Sequence, residues 1–190
     1  MTHIAQYLAD TVQLAANLSR EDIAAFVDVL EQAWLDGRRI FVCGNGGSAS
    51  LATHLACDLN KNCSLPGRPR LKIVALTDNL PVLTAYANDV SYADVFVEQI
   101  QNLWQDGDVV IGISGSGDSE NVVRCLNWAK EHGGQTLGLL AFGGGRCAPL
   151  CDVAVIAPTH DMQHAEDAHT IVMHLLMQVF SRKVAECHVG

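Results

Sequence analysis

Residues 39–54 read RIFVCGNGGSASLATH. A short apolar run ends on glycines and a serine, and apolar residues at helical spacing follow. The stretch is therefore read as strand, turn and helix. Glycine in such a turn lets the backbone approach an anion closely. The start of the helix presents N–H groups that have no intrahelical partner. Residues 108–123, DVVIGISGSGDSENVV, repeat the plan with serines among the glycines. Two strand–turn–helix units of this kind decide the fold class.

Outward from these two units, the rest of the chain follows the same alternation. KIVAL at 72–76, QTLGLLAF at 135–142 and DVAVIAP at 152–158 are further strands. With RIFVC at 39–43 and DVVIGI at 108–113 they make five. Helices are expected after each of the two glycine turns, through Leu83, from about Tyr92 to Trp104, and from about 159 to Cys187. Before the first strand, Ile4, Leu8, Val12 and Ala15 share a helical face, and Ser19 caps a second helix carrying Ile23, Phe26, Val27 and Leu30. Apolar strands alternating with helices indicate an α/β protein, a three-layer α/β/α sandwich around a five-stranded parallel sheet. Long helical segments flank it at both ends. One domain is expected over 1–190, with N-terminal helices in 1–37, the core in 38–158 and the last helix in 159–190.

Composition narrows the partners. Acidic residues outnumber basic ones, 21 to 12, for a formal charge of −9, and no basic run occurs. Direct nucleic-acid binding is disfavoured, since neutralising phosphates needs clustered cations. An anionic ligand would have to be held by backbone N–H groups and hydroxyls. The hydrophobic content of 49% implies apolar surface shared between subunits. Seven cysteines without a CxxC pair are read as reduced thiols of a cytoplasmic protein. The N-terminal stretch lacks the basic flank of a signal peptide and the apolar length of a membrane span.

The first turn, Gly44 to Ala49, also fits the GxGxxA dinucleotide fingerprint. That reading needs a ribose-binding acid about 20 residues on, and Asp78 lies about ten residues beyond that distance. The second turn brings the hydroxyls of Ser114, Ser116 and Ser119 to one helix start, a nest of phosphate size that needs no lysine. A tight turn capped by Ser119 or Asp118 accounts for one polar residue there, not for three hydroxyls.

Two helices carry candidate chemistry. His54 and Asp58, four apart, share a helix face, which suits a metal, an acid–base pair or plain surface polarity. QHAEDAHTIVMH at 163–174 holds Glu166 and His174 roughly 80° apart around the helix and two turns along it. Together these four side chains would suit a divalent ion such as zinc. His3, His132, His160 and His188 are expected at the surface, and Asp167, His164 and His169 as supporting or solvated polarity.

CGNGGSA, His54 ten residues after Gly44, and then ISGSGDSENV resemble the sugar isomerase (SIS) domain family. The resemblance covers almost the whole chain and is greatest toward the sedoheptulose 7-phosphate isomerases, or phosphoheptose isomerases. It implies an aldose–ketose isomerase that converts sedoheptulose 7-phosphate to D-glycero-D-manno-heptose 7-phosphate for heptose and surface-glycan precursors. It also implies a homotetramer with sites at subunit junctions. In those isomerases a His and a Glu of one helix and a Gln and a His of the last surround a zinc site in several members. By position these are His54, Asp58, Glu166 and His174, with Asp58 as base, His174 as partner acid, and Glu166 as base where metal occupies Asp58. The resemblance places the phosphate at Ser114, Gly115, Ser116 and Ser119, and the sugar against Asn45, Gly46, Gly47 and Ser48. Asp89 matches an acid of the family's GND motif and is a candidate for the sugar hydroxyls, with a helix cap as its plainer role.

The chain departs from the family at several of these places. The second turn, usually STSGNS, has Gly115 for Thr and Asp118 for Asn. Asp58 replaces Glu, which draws its carboxylate back by about 1.5 Å, and Glu166 replaces Gln. Asn62, beside Lys61, stands where the family has an arginine, with Arg68 and Arg70 as nearby cations. Two other roles exist on this fold: a non-catalytic adaptor for a replication initiator, and a phosphosugar sensor. The retained acid at Asp58 favours the enzyme.

Overall fold

The five apolar runs pair side by side, the three central ones burying both faces and the edge run at 72–75 burying one. In the computed structural model, which describes residues 2–187, they are β1 (Arg39–Gly44), β2 (Lys72–Ala75), β3 (Val109–Ser114), β4 (Gln135–Leu140) and β5 (Val153–Ile156). The sheet is parallel throughout, in the order β2-β1-β3-β4-β5. Alternate side chains feed two cores. Ile40 and Val42 of β1 point to one, Phe41 and Cys43 to the other.

The first core is roofed by α2 (Arg20–Leu35), α3 (Gly47–Asn62) and α7 (Met162–Glu186). The second lies under α5 (Val97–Gln101), α6 (Glu120–Glu131) and the short 3-10 turn Ala148–Leu150. The sheet is thus covered on both faces, as the alternation of elements predicts. α2 begins where expected: the Ser19 hydroxyl accepts from the Asp22 N–H at 3.1 Å.

Three local expectations change. α4 (Leu80–Asp89) runs past Leu83, while the helix expected from Tyr92 to Trp104 shrinks to α5. There the Ser91 hydroxyl accepts from the Ala93 N–H at 3.0 Å, and this local turn competes with helix formation. Finally, α1 (Thr2–Ala16) buries Leu14 and leaves Ile4, Leu8 and Val12 more than 60% exposed. Its inner contact is instead made by Tyr7, whose ring stacks on His164 and whose hydroxyl donates to Asp167 at 2.7 Å. His164 and Asp167 therefore anchor α1 to α7 and are not solvated polarity. His3, His132 and His160 are exposed, and His188 lies outside the described residues.

Candidate active site

Strand order places the two glycine turns next to each other. β1 and β3 are neighbours, paired through Gly44 and Ile113, and the chain leaves β1 toward one side of the sheet and reaches β3 on the other. Crevices at such a switch point, outside the carboxyl ends of the strands, are where open parallel sheets bind ligands. A pair of amides joins the turns. Asn45 Nδ2 donates to Asn121 Oδ1 and Asn121 Nδ2 donates to Asn45 Oδ1, each at 2.9 Å, and the Tyr92 hydroxyl adds a second bond to Asn45 Oδ1 at 2.8 Å. Asn45 is therefore largely committed to holding the turns together. Asn121 and Tyr92 escape a sequence reading because their partner is far away in the chain.

The serine turn is ordered by its own hydroxyls. Ser114 Oγ donates to Ser119 Oγ at 3.2 Å and accepts from the Gly117 N–H at 3.1 Å, and Ser116 Oγ accepts from the Asp118 N–H at 3.2 Å. Ser119 is the N-cap of α6, yet its hydroxyl makes no cap bond to the helix. Among the described residues the N–H groups of Glu120 and Asn121 make no hydrogen bond and remain open to an anion, whereas the Val122 N–H donates to Asn121 Oδ1 at 3.0 Å. With glycine in place of threonine at 115, the Met162 side chain lies against the turn: a Cβ there would be 2.5 Å from Met162 Sδ.

α3 starts from the first turn and packs along α7, which brings the chemical groups together. His54, Asp58 and His174 have ligand atoms within 4.8 Å of one another. His54 Nε2 lies 3.6 Å from Asp58 Oδ2, and the rings of His54 and His174 meet edge to face. Asn62, on the next turn of α3, donates to Asp58 Oδ1 at 3.3 Å and braces the shorter carboxylate. Two imidazoles and one carboxylate converging with a side open to solvent match the donor set of a three-ligand zinc centre.

Glu166 stands apart from this trio. Its carboxylate sits against Gly47, so closely that a Cβ at 47 would overlap it. It lines a cavity of about 300 Å³ with Ser48, Leu51, His54 and His169. No hydrogen bond to its carboxylate is made among the described residues, which leaves it free to act as a base. His169 is buried, and its Nε2 lies 2.9 Å from the Leu140 carbonyl, so it ties α7 to the end of β4. Burial pulls its pKa below the ordinary value. Asp89 is not brought to this cavity by the chain itself. It ends α4, accepts from Asn88 at 2.7 Å, and faces a separate cavity with Tyr86 and Asn102. Asp78, the residue that a dinucleotide reading needed, is engaged by Thr53 at 2.5 Å.

The fold is a parallel five-stranded α/β sheet with its switch point at two glycine turns and with imidazoles and carboxylates on α3 and α7. Residues 5–141 match the SIS domain family, and the chain belongs to it. Its relatives include phosphoheptose isomerases of several bacteria. Over 164 residues it is 37% identical to the phosphoheptose isomerase of Clostridium acetobutylicum, covering 86% of this chain and 83% of that protein. It is 35% identical over 178 residues to the phosphoheptose isomerase of Helicobacter pylori strain P12, covering 94% and 90%. Among solved structures, the phosphoheptose isomerase of Neisseria gonorrhoeae superposes with a TM-score of 0.88 at 28% identity, covering 95% of this chain and 98% of that one.

Proposed function

We propose that this protein is an aldose–ketose isomerase that converts sedoheptulose 7-phosphate to D-glycero-D-manno-heptose 7-phosphate, in the synthesis of heptose precursors of surface glycans. The observation that carries the reading is the convergence of His54, Asp58 and His174 from two helices, with Glu166 on the wall of a cavity that His54 also lines. Relatives named phosphoheptose isomerase, similar over most of both chains, support it.

In this mechanism the substrate phosphate lies on Ser114, Gly115, Ser116 and Ser119 and accepts from hydroxyls and from the N–H groups of Glu120 and Asn121 at the start of α6. The sugar runs along Gly46, Gly47 and Ser48 toward α3 and α7. A carboxylate removes the proton from the hydroxymethyl carbon beside the ketone, leaving an enediolate. The same proton returns to the former carbonyl carbon while an imidazole shifts a proton between the two oxygens. Asp58 is the base and His174 the partner acid when both are free. When a cation occupies Asp58 and His174, Glu166 is the carboxylate left in the cavity. A zinc or other divalent ion at His54, Asp58 and His174 would polarise the substrate oxygens.

The assembly follows from the helix left open. We propose a homotetramer in which the exposed Ile4, Leu8 and Val12 stripe of α1 is covered by other subunits. A cytoplasmic location is in keeping with seven free cysteines and with the absence, among the described residues, of a helix long and apolar enough to cross a membrane. Incubating the purified protein with sedoheptulose 7-phosphate, with and without chelator, and following the sugar carbons by NMR tests the activity. An aldose heptose phosphate is expected, and an unchanged ketose in metal-supplied buffer defeats the proposal.

A further inference from the structure

The serine turn carries an oddity for an anion site, two carboxylates at its rim. Asp118 belongs to the turn, and Glu120 is the first residue of α6. A helix start offers about half a positive charge, which two ionised acids outweigh. Both acids are met by the same side chain. Arg146 donates from Nη1 to Glu120 Oε2 at 2.8 Å and from Nη2 to the Asp118 carbonyl at 2.6 Å, while its Nε lies 3.5 Å from Asp118 Oδ1. Its backbone N–H donates to Asp118 Oδ1 at 3.0 Å. Arg124 takes the other oxygen of Glu120 at 2.8 Å and reaches Asp94 at 2.7 Å. These guanidinium bonds, from Arg124 first and Arg146 second, hold the Glu120 carboxyl below its ordinary range, so it stays ionised.

Arg146 is aimed by the backbone around it. The Cys147 N–H donates to the Gly117 carbonyl at 2.8 Å, and the space where a Gly117 side chain would lie is filled by the Gly144 carbonyl. Gly117 has φ of 70°, a conformation that glycine adopts without strain. The segment from Gly144 to Cys147 is thereby laid along the outside of the serine turn. The side chains of Asp118, Glu120, Arg124 and Arg146 are well exposed, and only Asp94 is half-buried, so the ion pairs at the turn contribute little to folding. Their effect falls on the field that an incoming anion meets.

We propose that Arg146 is a positioning residue for the phosphate: together with Arg124 it offsets the charges of Asp118 and Glu120 and so makes the Ser114–Ser119 turn able to accept a phosphate monoester dianion. The inference rests on the reading of that turn as the phosphate holder. It also accounts for the aspartate at 118, where the family has an asparagine: the extra charge is answered by Arg146.

The test is steady-state kinetics on sedoheptulose 7-phosphate, with inorganic phosphate as competing anion, at low ionic strength and at about 0.5 M salt, where charges are screened. Arg146→Gln is expected to raise KM and the inhibition constant of phosphate by about five- to tenfold at low salt, with kcat and Tm nearly unchanged. The gap narrows at high salt. Arg146→Lys retains most of the affinity. Adding Asp118→Asn to Arg146→Gln recovers it to within about twofold, a rescue that a purely structural strap would not show. The inference is overturned if Arg146→Gln leaves both constants unchanged, or if the Asp118→Asn exchange brings no recovery. Should Arg146→Gln fail to fold, Asp118→Asn alone decides: affinity equal to or tighter than that of the unaltered protein supports the idea, and weaker affinity overturns it. An unaltered protein that ignores phosphate altogether defeats the phosphate reading as well, whereas normal phosphate binding with an indifferent Arg146→Gln defeats only this inference.

Discussion

His54 of α3 and His174 of α7 meet edge to face, their ring centroids 5.2 Å apart and their planes at 79°. Asp58 completes the group from the turn of α3 below His54. A contact between helices so distant in the chain, on a surface open to solvent, has no packing purpose that apolar residues would not serve as well. Read as chemistry, it leads to the first two of four expected outcomes.

Replacing Asp58 by Asn or His174 by Ala is expected to lower turnover by about 10²- to 10⁴-fold, the usual contribution of a positioned acid or base. Neither side chain belongs to either core, so the melting temperature should move by no more than a few degrees. Rates near those of the unaltered protein would remove both residues from the mechanism.

The same trio predicts bound metal. Mass spectrometry of the protein's elemental content should find about one divalent ion per chain, and His54→Ala should lower that content sharply. Retention of a full complement of metal by His54→Ala would show that the ion sits elsewhere.

Gly47→Ala examines the place of Glu166. The added methyl group overlaps the Glu166 carboxylate, which must swing away from the cavity wall. A shift of about an ångström at a reacting group costs on the order of a hundredfold in rate. Turnover should therefore fall while the far-ultraviolet circular dichroism stays the same. If Gly47→Ala and Glu166→Gln are each as active as the parent, Glu166 has no part in the reaction.

Acid should weaken the fold through His169. Burial lowers its pKa from the ordinary 6.5, so the unfolded chain takes up a proton that the folded one refuses. Stability is complete above about pH 6.5. It declines as the pH drops below that value, by up to about 1.4 kcal/mol per pH unit for one proton, until the folded imidazole is protonated too. Melting curves at pH 7.5 and 5 should show a larger fall for the parent than for His169→Gln. Equal falls would exclude His169 as the sensor.

Much of this architecture is legible in local pattern. Apolar runs such as VVIGI, short, β-branched and bounded by glycine, read as buried strands, and the glycine and serine turns mark where α3 and α6 start. The elements that depart from expectation are those where local pattern was outvoted. Ile4, Leu8 and Val12 look like an inward face, but α1 docks through Tyr7 because Asp167 and His164 offer it a bond and a ring. The Tyr92 segment looks helical, but the Tyr92 hydroxyl is drawn to Asn45 and Ser91 turns the chain.

By itself, the sequence determined the kinds and order of elements, the two glycine turns and the family, because periodicity and turn chemistry act over a few residues. Only the tertiary structure decided that β1 and β3 are neighbours, that Asn45 clasps Asn121, that Glu166 stands over Gly47 apart from the three-residue cluster, and that Arg146 answers Asp118. The physical reason is that these partners are chosen by strand order and by the packing of α3 on α7. Both arise from burying two cores at once, and no stretch of a dozen residues contains that information.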